Sequence, residues 1–169
     1  MIATMLATVL CGGALPGLAT AERLEVSASV LAGTGISLAG SGGKTFARRS
    51  PTFLQAEVGL VHPQLPWLEL APTLMLEIDG RIGFGIAPKL RARLPGKRVR
   101  AYGVVAMPLF VVPYTLLGVQ AGGGLMVALH RRVGLLAEFT GGAYVWGSDL
   151  MPNAALGQFN ASLGMRVNF

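Results

Sequence analysis

The chain has 169 residues, of which 52% are hydrophobic and only 13% charged, with a formal net charge of +6. A water-soluble domain carries about a quarter charged residues, and 24 glycines would be costly in its helices or strands. The composition therefore argues against an ordinary soluble domain. The basic residues lie scattered among apolar runs with no stripe, which argues against a nucleic-acid-binding protein.

Residues 1–21 read as a targeting segment. They form an uncharged apolar run that ends on Ala19-Thr20-Ala21, a small-x-small cleavage site. Pro16 and the glycines at 12, 13 and 17 argue against a transmembrane helix there. The single cysteine, Cys11, follows Leu10 rather than a small residue, so lipidation is not expected, and residues 22–169 hold no cysteine for a disulfide or a thiolate metal site.

From Arg23 onward the apolar residues alternate with period two, the signature of strands. Eight segments appear, each near the roughly 9–11 residues that a tilted strand needs to cross a bilayer. The first sets Leu24, Val26, Ala28 and Val30 against Glu25, Ser27 and Ser29. The second sets Leu54, Ala56, Val58 and Leu60 against Gln55 and Glu57, and the third Leu68, Leu70, Leu74 and Leu76 against Glu69, Thr73 and Glu77. In the fourth, Ile82, Phe84, Ile86, Leu90, Ala92 and Leu94 oppose Gly83, Gly85, Lys89, Arg91 and Arg93.

The fifth opposes Val99, Ala101, Val105, Met107 and Leu109 to Arg98, Arg100 and Tyr102. The sixth opposes Val119, Ala121, Leu125, Val127 and Leu129 to Gln120, Gly122 and Gly124. The seventh opposes Val133, Leu135, Ala137, Phe139 and Val145 to Glu138, Thr140 and Tyr144. The eighth opposes Phe159, Ala161, Leu163, Met165, Val167 and Phe169 to Gln158, Asn160, Ser162, Arg166 and Asn168. No charge falls on any apolar face. The expected fold is therefore all-β, an eight-stranded antiparallel up-and-down barrel with its apolar face toward lipid and its polar face in the lumen. Closure follows because an open sheet edge cannot sit in hydrocarbon.

Three short connections, 61–66, 95–97 and 130–132, alternate with four others, 33–51, 77–81, 112–116 and 147–154. The short ones are expected on the periplasmic side. A helical span over Ala101–Leu129, which carries no formal charge, is the competing reading; Pro108, Pro113 and three consecutive glycines at 122–124 count against it. Pro72, Pro88 and Pro108 fall inside strands, where each removes a ladder hydrogen bond, so bulges or local breaks are expected there.

The last strand, with Phe159, Leu163, Met165 and Val167 in step and ending on Phe169, resembles the signature of Gram-negative outer-membrane β-barrels. The resemblance implies a cell outer membrane location, reached by export through the periplasm, and a role for that row as the signal read by the barrel-assembly machinery. Outer-membrane lipids, and possible other envelope proteins, are the remaining partners it implies. Trp67, Tyr102, Tyr144 and Trp146 fall on the inward phase, which would leave the usual aromatic girdle thin.

Chemistry-bearing motifs are few. Residues 40–45 look like a phosphate loop, but Leu38 stands where its first glycine belongs, and Leu38 also replaces the third glycine of a dinucleotide motif begun by Gly33 and Gly35. These residues read as an exposed loop. Some barrels of this kind are lipid-modifying enzymes or proteases, but the only histidines, His62 and His130, fall in turns away from Ser37, Ser41, Ser50 and Ser148. Asp79 and Asp149 have no histidine nearby. No catalytic residue, metal or cofactor is expected.

The inward charges are more informative. Glu25, Glu57, Glu69 and Glu138 face Lys89, Arg91, Arg93, Arg100 and Arg166 in the periplasmic half of the lumen. In a barrel that encloses only enough room for side chains, they should pair into a network that plugs it. In the outer half, small residues including Gly83, Gly85, Gly122, Gly124 and Gly142 face inward. Either bulky neighbours (Phe53, Met75, Phe110, Tyr144 and Trp146) fill that space, or an apolar pocket opens there. The expected function is that of a non-enzymatic structural or interaction protein with a plugged lumen. The alternatives are a narrow pore or transporter for small or hydrophobic solutes, and a lipid-modifying enzyme.

Overall fold

The computed structural model describes residues 24–41, 44–79, 82–147 and 155–169. The proposed targeting segment lies outside the described residues. The described chain is all strand and turn: β1 (Glu25–Ser41), β2 (Lys44–Val61), β3 (Leu68–Leu70), β4 (Thr73–Glu77), β5 (Gly83–Ala87), β6 (Lys89–Arg93), β7 (Val99–Ala106), β8 (Leu109–Val112), β9 (Leu116–Ala128), β10 (Val133–Gly147) and β11 (Ala155–Asn168). The pairs β3/β4, β5/β6 and β7/β8 are each one barrel strand interrupted at a proline, so the ring has eight strands.

Every neighbour is antiparallel, and β1 pairs with β2 on one side and β11 on the other, which closes the sheet. The alternation predicted from sequence appears as alternating burial. In β4 and β5, for example, every second residue is buried and its neighbours are exposed. Large apolar residues such as Leu74, Ile86, Val105, Leu125, Phe139 and Leu163 lie on the outside, while the buried set is rich in charges and amides. This inverts a soluble protein and fits a hydrocarbon solvent. Ala101–Leu129 forms strands β7 to β9, and no described helix is long and apolar enough to cross a membrane.

The three proline breaks line up. Leu70 pairs with Leu90 and Thr73 with Ala87, so Pro72 stands opposite Pro88. Lys89 pairs with Ala106 and Ile86 with Leu109, so Pro108 stands opposite Ala87. No residue is inserted at any of the three; they are breaks rather than bulges. The carbonyls around them remain bonded: Val58 N–H donates to Pro72 O at 3.1 Å, Met107 N–H to Pro88 O at 3.1 Å and Gly118 N–H to Pro108 O at 2.9 Å. The carbonyls of Pro72 and Pro88, and with them the nitrogens that lack a donor, point away from each other, so each proline withholds one ladder hydrogen bond from its outer neighbour.

The structure corrects three expectations. Residues 33–51 are not a loop: β1 and β2 extend as one long hairpin, in register up to the Ser41–Lys44 pair, with a shift at Gly33/Gly35. Gly, Ser and Arg look like loop residues in one dimension, but cross-strand pairing holds them extended. The expected loop at 40–45 is thus strand at both ends, and residues 42–43 lie outside the described residues. Trp146 points outward, 63% exposed, because a register shift between Tyr144 and Trp146 changes its phase. Trp67 keeps its phase, opposite Arg93, but is 54% exposed in the turn before β3.

The turns at 62–67, 94–98 and 129–132 mark one end of the barrel, the turn end. The β1–β2 and β10–β11 extensions mark the other, the hairpin end.

Candidate functional site: the lumenal ion network

Glu57, Glu69, Lys89, Arg91, Glu138 and Arg166 meet on the barrel axis, with side-chain exposures of 3% or less. Seven of the eight barrel strands contribute: β1 brings Glu25, β2 Glu57, β3 Glu69, β6 the three cations Lys89, Arg91 and Arg93, β7 Tyr102, β10 Glu138 and β11 Arg166. The period-two spacing of Lys89, Arg91 and Arg93 puts all three on one inward face.

Lys89 uses all three of its donors. Its Nζ donates to Glu57 Oε1 at 2.6 Å, Glu138 Oε1 at 2.8 Å and Gln55 Oε1 at 3.2 Å. Arg91 Nη2 donates to Glu57 Oε2 at 2.5 Å and Glu138 Oε2 at 3.1 Å, and its Nη1 to Glu69 Oε1 at 3.2 Å. Arg166 Nη1 donates to both oxygens of Glu69 at 2.8 Å. Arg93 grips Glu25 with both Nη atoms at 3.2 Å and sits 3.7 Å from Glu69. Four carboxylates thus face four cations. An isolated charge at this depth would carry a desolvation penalty of several kcal/mol; each one here has an opposite charge in contact.

Tyr102 and Gln55 complete the network. The Tyr102 hydroxyl donates to Glu138 Oε2 at 3.3 Å, and the Arg91 guanidinium lies 5.3 Å from the centre of its ring. Sequence reasoning placed both residues on the inward phase but did not assign them to the charges. The available signal was their register, since Tyr102 pairs with Arg93 across one strand boundary and with Gly124 across the other. The remaining strand, β9, contributes Gly124 here. A Cβ on Gly124 would stand 2.5 Å from the Tyr102 ring, so glycine is what lets that ring reach the axis.

Arg100 does not join the network. It lies exposed at the turn end, where its Nε donates to Gly96 O at 2.7 Å. Its phase is inward, but its height is the barrel rim, where solvent and a turn carbonyl are available. Toward the hairpin end the lumen is filled by large side chains packed against small ones. Met75, Ala87, Phe110, Leu116 and Tyr144 form one cluster, with Gly85 beside Phe110 and Gly118 beside Tyr144. Trp146 is absent from that filling because it faces outward.

The chemistry-bearing residues outside the network lie at opposite ends. The Ser37 and Ser50 hydroxyls are 2.7 Å apart near the hairpin end. His62 and His130 sit in turns at the other end, where the N–H of Gln64 donates to His62 Nδ1. Asp79 pairs with Arg49 at 3.4 Å; Ser148 and Asp149 lie outside the described residues. The apolar row of β11 (Phe159, Leu163, Met165, Val167), with Phe169, faces outward, and the Phe169 N–H donates to Val26 O at 3.0 Å across the closing seam.

No protein-family model and no curated protein matches the sequence. Solved structures do match in fold. Neisserial surface protein A superposes with a TM-score of 0.60 at 16% identity, over 84% of this chain and 97% of that one. The N-terminal β-barrel domain of Pseudomonas aeruginosa OprF gives 0.54 at 16% identity, over 83% and 97%. A transmembrane β-barrel designed de novo gives 0.50 at 8% identity, over 83% and 95%. The fold is that of small Gram-negative outer-membrane β-barrels.

Proposed function

We propose that this chain is a non-enzymatic integral protein of the Gram-negative outer membrane, with a structural or interaction role and a lumen closed by its ion network. In this orientation the turn end faces the periplasm and the hairpin end the exterior. The observation that carries the reading is the buried set of three carboxylates and four cations spanning the lumen, with the half-exposed Glu25 at its edge. Any solute crossing the barrel would have to part Lys89, Arg91 and Arg166 from partners within 3.2 Å. The separation of both histidines from the Ser37–Ser50 pair supports the non-catalytic part, because a serine nucleophile needs a base within hydrogen-bond reach.

The purified barrel in a planar bilayer is expected to give no steady, reproducible openings. Regular conductance steps from the native chain would sink the plug. Location is tested by fractionation: the protein should appear in outer-membrane fractions and run at different gel positions before and after boiling. The exposed row of Phe159, Leu163, Met165 and Val167 on β11 is the surface offered to the assembly machinery. Leu163→Ser with Met165→Ser should reduce insertion in cells more than refolding in detergent.

A further inference from the structure

The network is neutral among its own members, so the excess charge of the chain lies elsewhere, and part of it is gathered in one place. Below the network, at the turn end, the lumen opens into a cavity of about 320 Å3. Its wall carries Arg93, Lys97, Arg98, Arg100, His130 and Arg131, and its only carboxylate is Glu25. Glu25 is already held by both Nη atoms of Arg93. Lys97, Arg98, Arg100 and Arg131 form none of the barrel's ion pairs among the described residues. At the inner end of this vestibule the guanidinium of Arg93, its side chain 6% exposed, has a buried Nε without a partner. Arg166 of the network above, two residues before Asn168 of this wall, also has a buried Nη2 without one.

The unfilled guanidinium donor of Arg93, at the inner end of a half-open vestibule rimmed by exposed cations, is arranged as an acceptor-rich dianion would need it. We propose that this vestibule binds a phosphate-bearing anion, taken from the turn-end side and held between the exposed cations of the two turns and the buried Arg93. The ion network forms its floor, so the site is a blind pocket rather than part of a conduction path. It does not require the lumen to be sealed against small ions, and its failure would leave the closure of the barrel untouched.

The test uses the full barrel in an uncharged detergent, titrated with sodium pyrophosphate in a calorimeter. The expected result is saturable binding at one site per chain that weakens as ionic strength rises. Arg98→Gln with Arg131→Gln, both in exposed turns, should weaken it by about tenfold or more. Lys44→Gln with Arg48→Gln removes the same charge from the opposite end and should leave it unchanged. A shift in gel mobility on boiling confirms that both variants fold.

Equal losses in the two variants would reduce the effect to net charge and overturn the proposal, as would the absence of saturable binding by the native barrel. Nanodiscs, which expose both ends, identify the source of the phosphate. If phosphatidylglycerol discs suppress pyrophosphate binding relative to phosphatidylcholine discs, and the Arg98/Arg131 variant loses that suppression, the ligand is a lipid headgroup. If the two kinds of disc bind alike, it is free phosphate.

Discussion

Glu69 shows how much one inward side chain can govern. It is fully buried, accepts both contacts from Arg166, and also faces Arg91 at 3.2 Å and Arg93 at 3.7 Å. Glu69→Gln would leave three guanidiniums sharing the loss of one negative charge. The barrel should lose about 3–5 kcal/mol of unfolding free energy, the usual cost of breaking a buried pair from one side. Glu25→Gln removes a carboxylate whose side chain is 46% exposed and should cost less than about 1 kcal/mol. Urea titration of both variants in lipid vesicles checks the contrast. Equal costs would mean that the axis is hydrated as fully as the rim. The network need not be the most stabilising filling, since an apolar core of equal volume can do as well or better. What the ions supply is a specific closure.

At the scale of the strand, local irregularities decide where side chains end up. The shift between Tyr144 and Trp146 keeps the tyrosine ring inside, packed against Phe110 at 6.1 Å, while it turns the indole out. Trp67 is exposed in a turn at the opposite end. The two tryptophans therefore mark the two ends of the apolar wall, where amphipathic rings sit at the headgroup level. In vesicles, lipids brominated near the headgroup should quench both more strongly than lipids brominated at mid-chain. Fluorescence insensitive to either would return the indoles to the lumen. The proline breaks act differently. They interrupt three adjacent strands at one height without shifting register, so the alternation that sorts ions inward and apolar groups outward continues across them.

For the whole molecule, the closed ring gives two chemically distinct ends. The hairpin end presents Lys44, Arg48 and Arg49 on an extended ribbon in which residues 44–49 are all exposed. The turn end presents the short connections and the basic vestibule. Since the sequence holds a single cysteine, at position 11, introduced thiols report cleanly in a Cys11→Ser background. Phe46→Cys should react with an impermeant maleimide on intact cells, and His130→Cys only after the outer membrane is permeabilised. The reverse pattern would invert the proposed orientation.

Strand identity and the sorting of the two faces were legible in one dimension because each depends on period two. A residue's phase determines its side of the sheet wherever register runs unbroken. Glu57, Glu69, Lys89, Arg91, Glu138 and Arg166 could therefore be assigned inward from their neighbours alone. Height and phase shifts could not be read this way. Arg100 shares the inward phase yet lies at the rim, Trp146 loses its phase at a shift that no local residue announces, and the polar stretch 33–51 is strand because β1, β2 and β11 hold one another extended. The sequence by itself determined which residues face the axis. Only closure of the ring decided which of them meet there, because contact across a lumen depends on shear and register summed over all eight strands, and no single segment carries that sum.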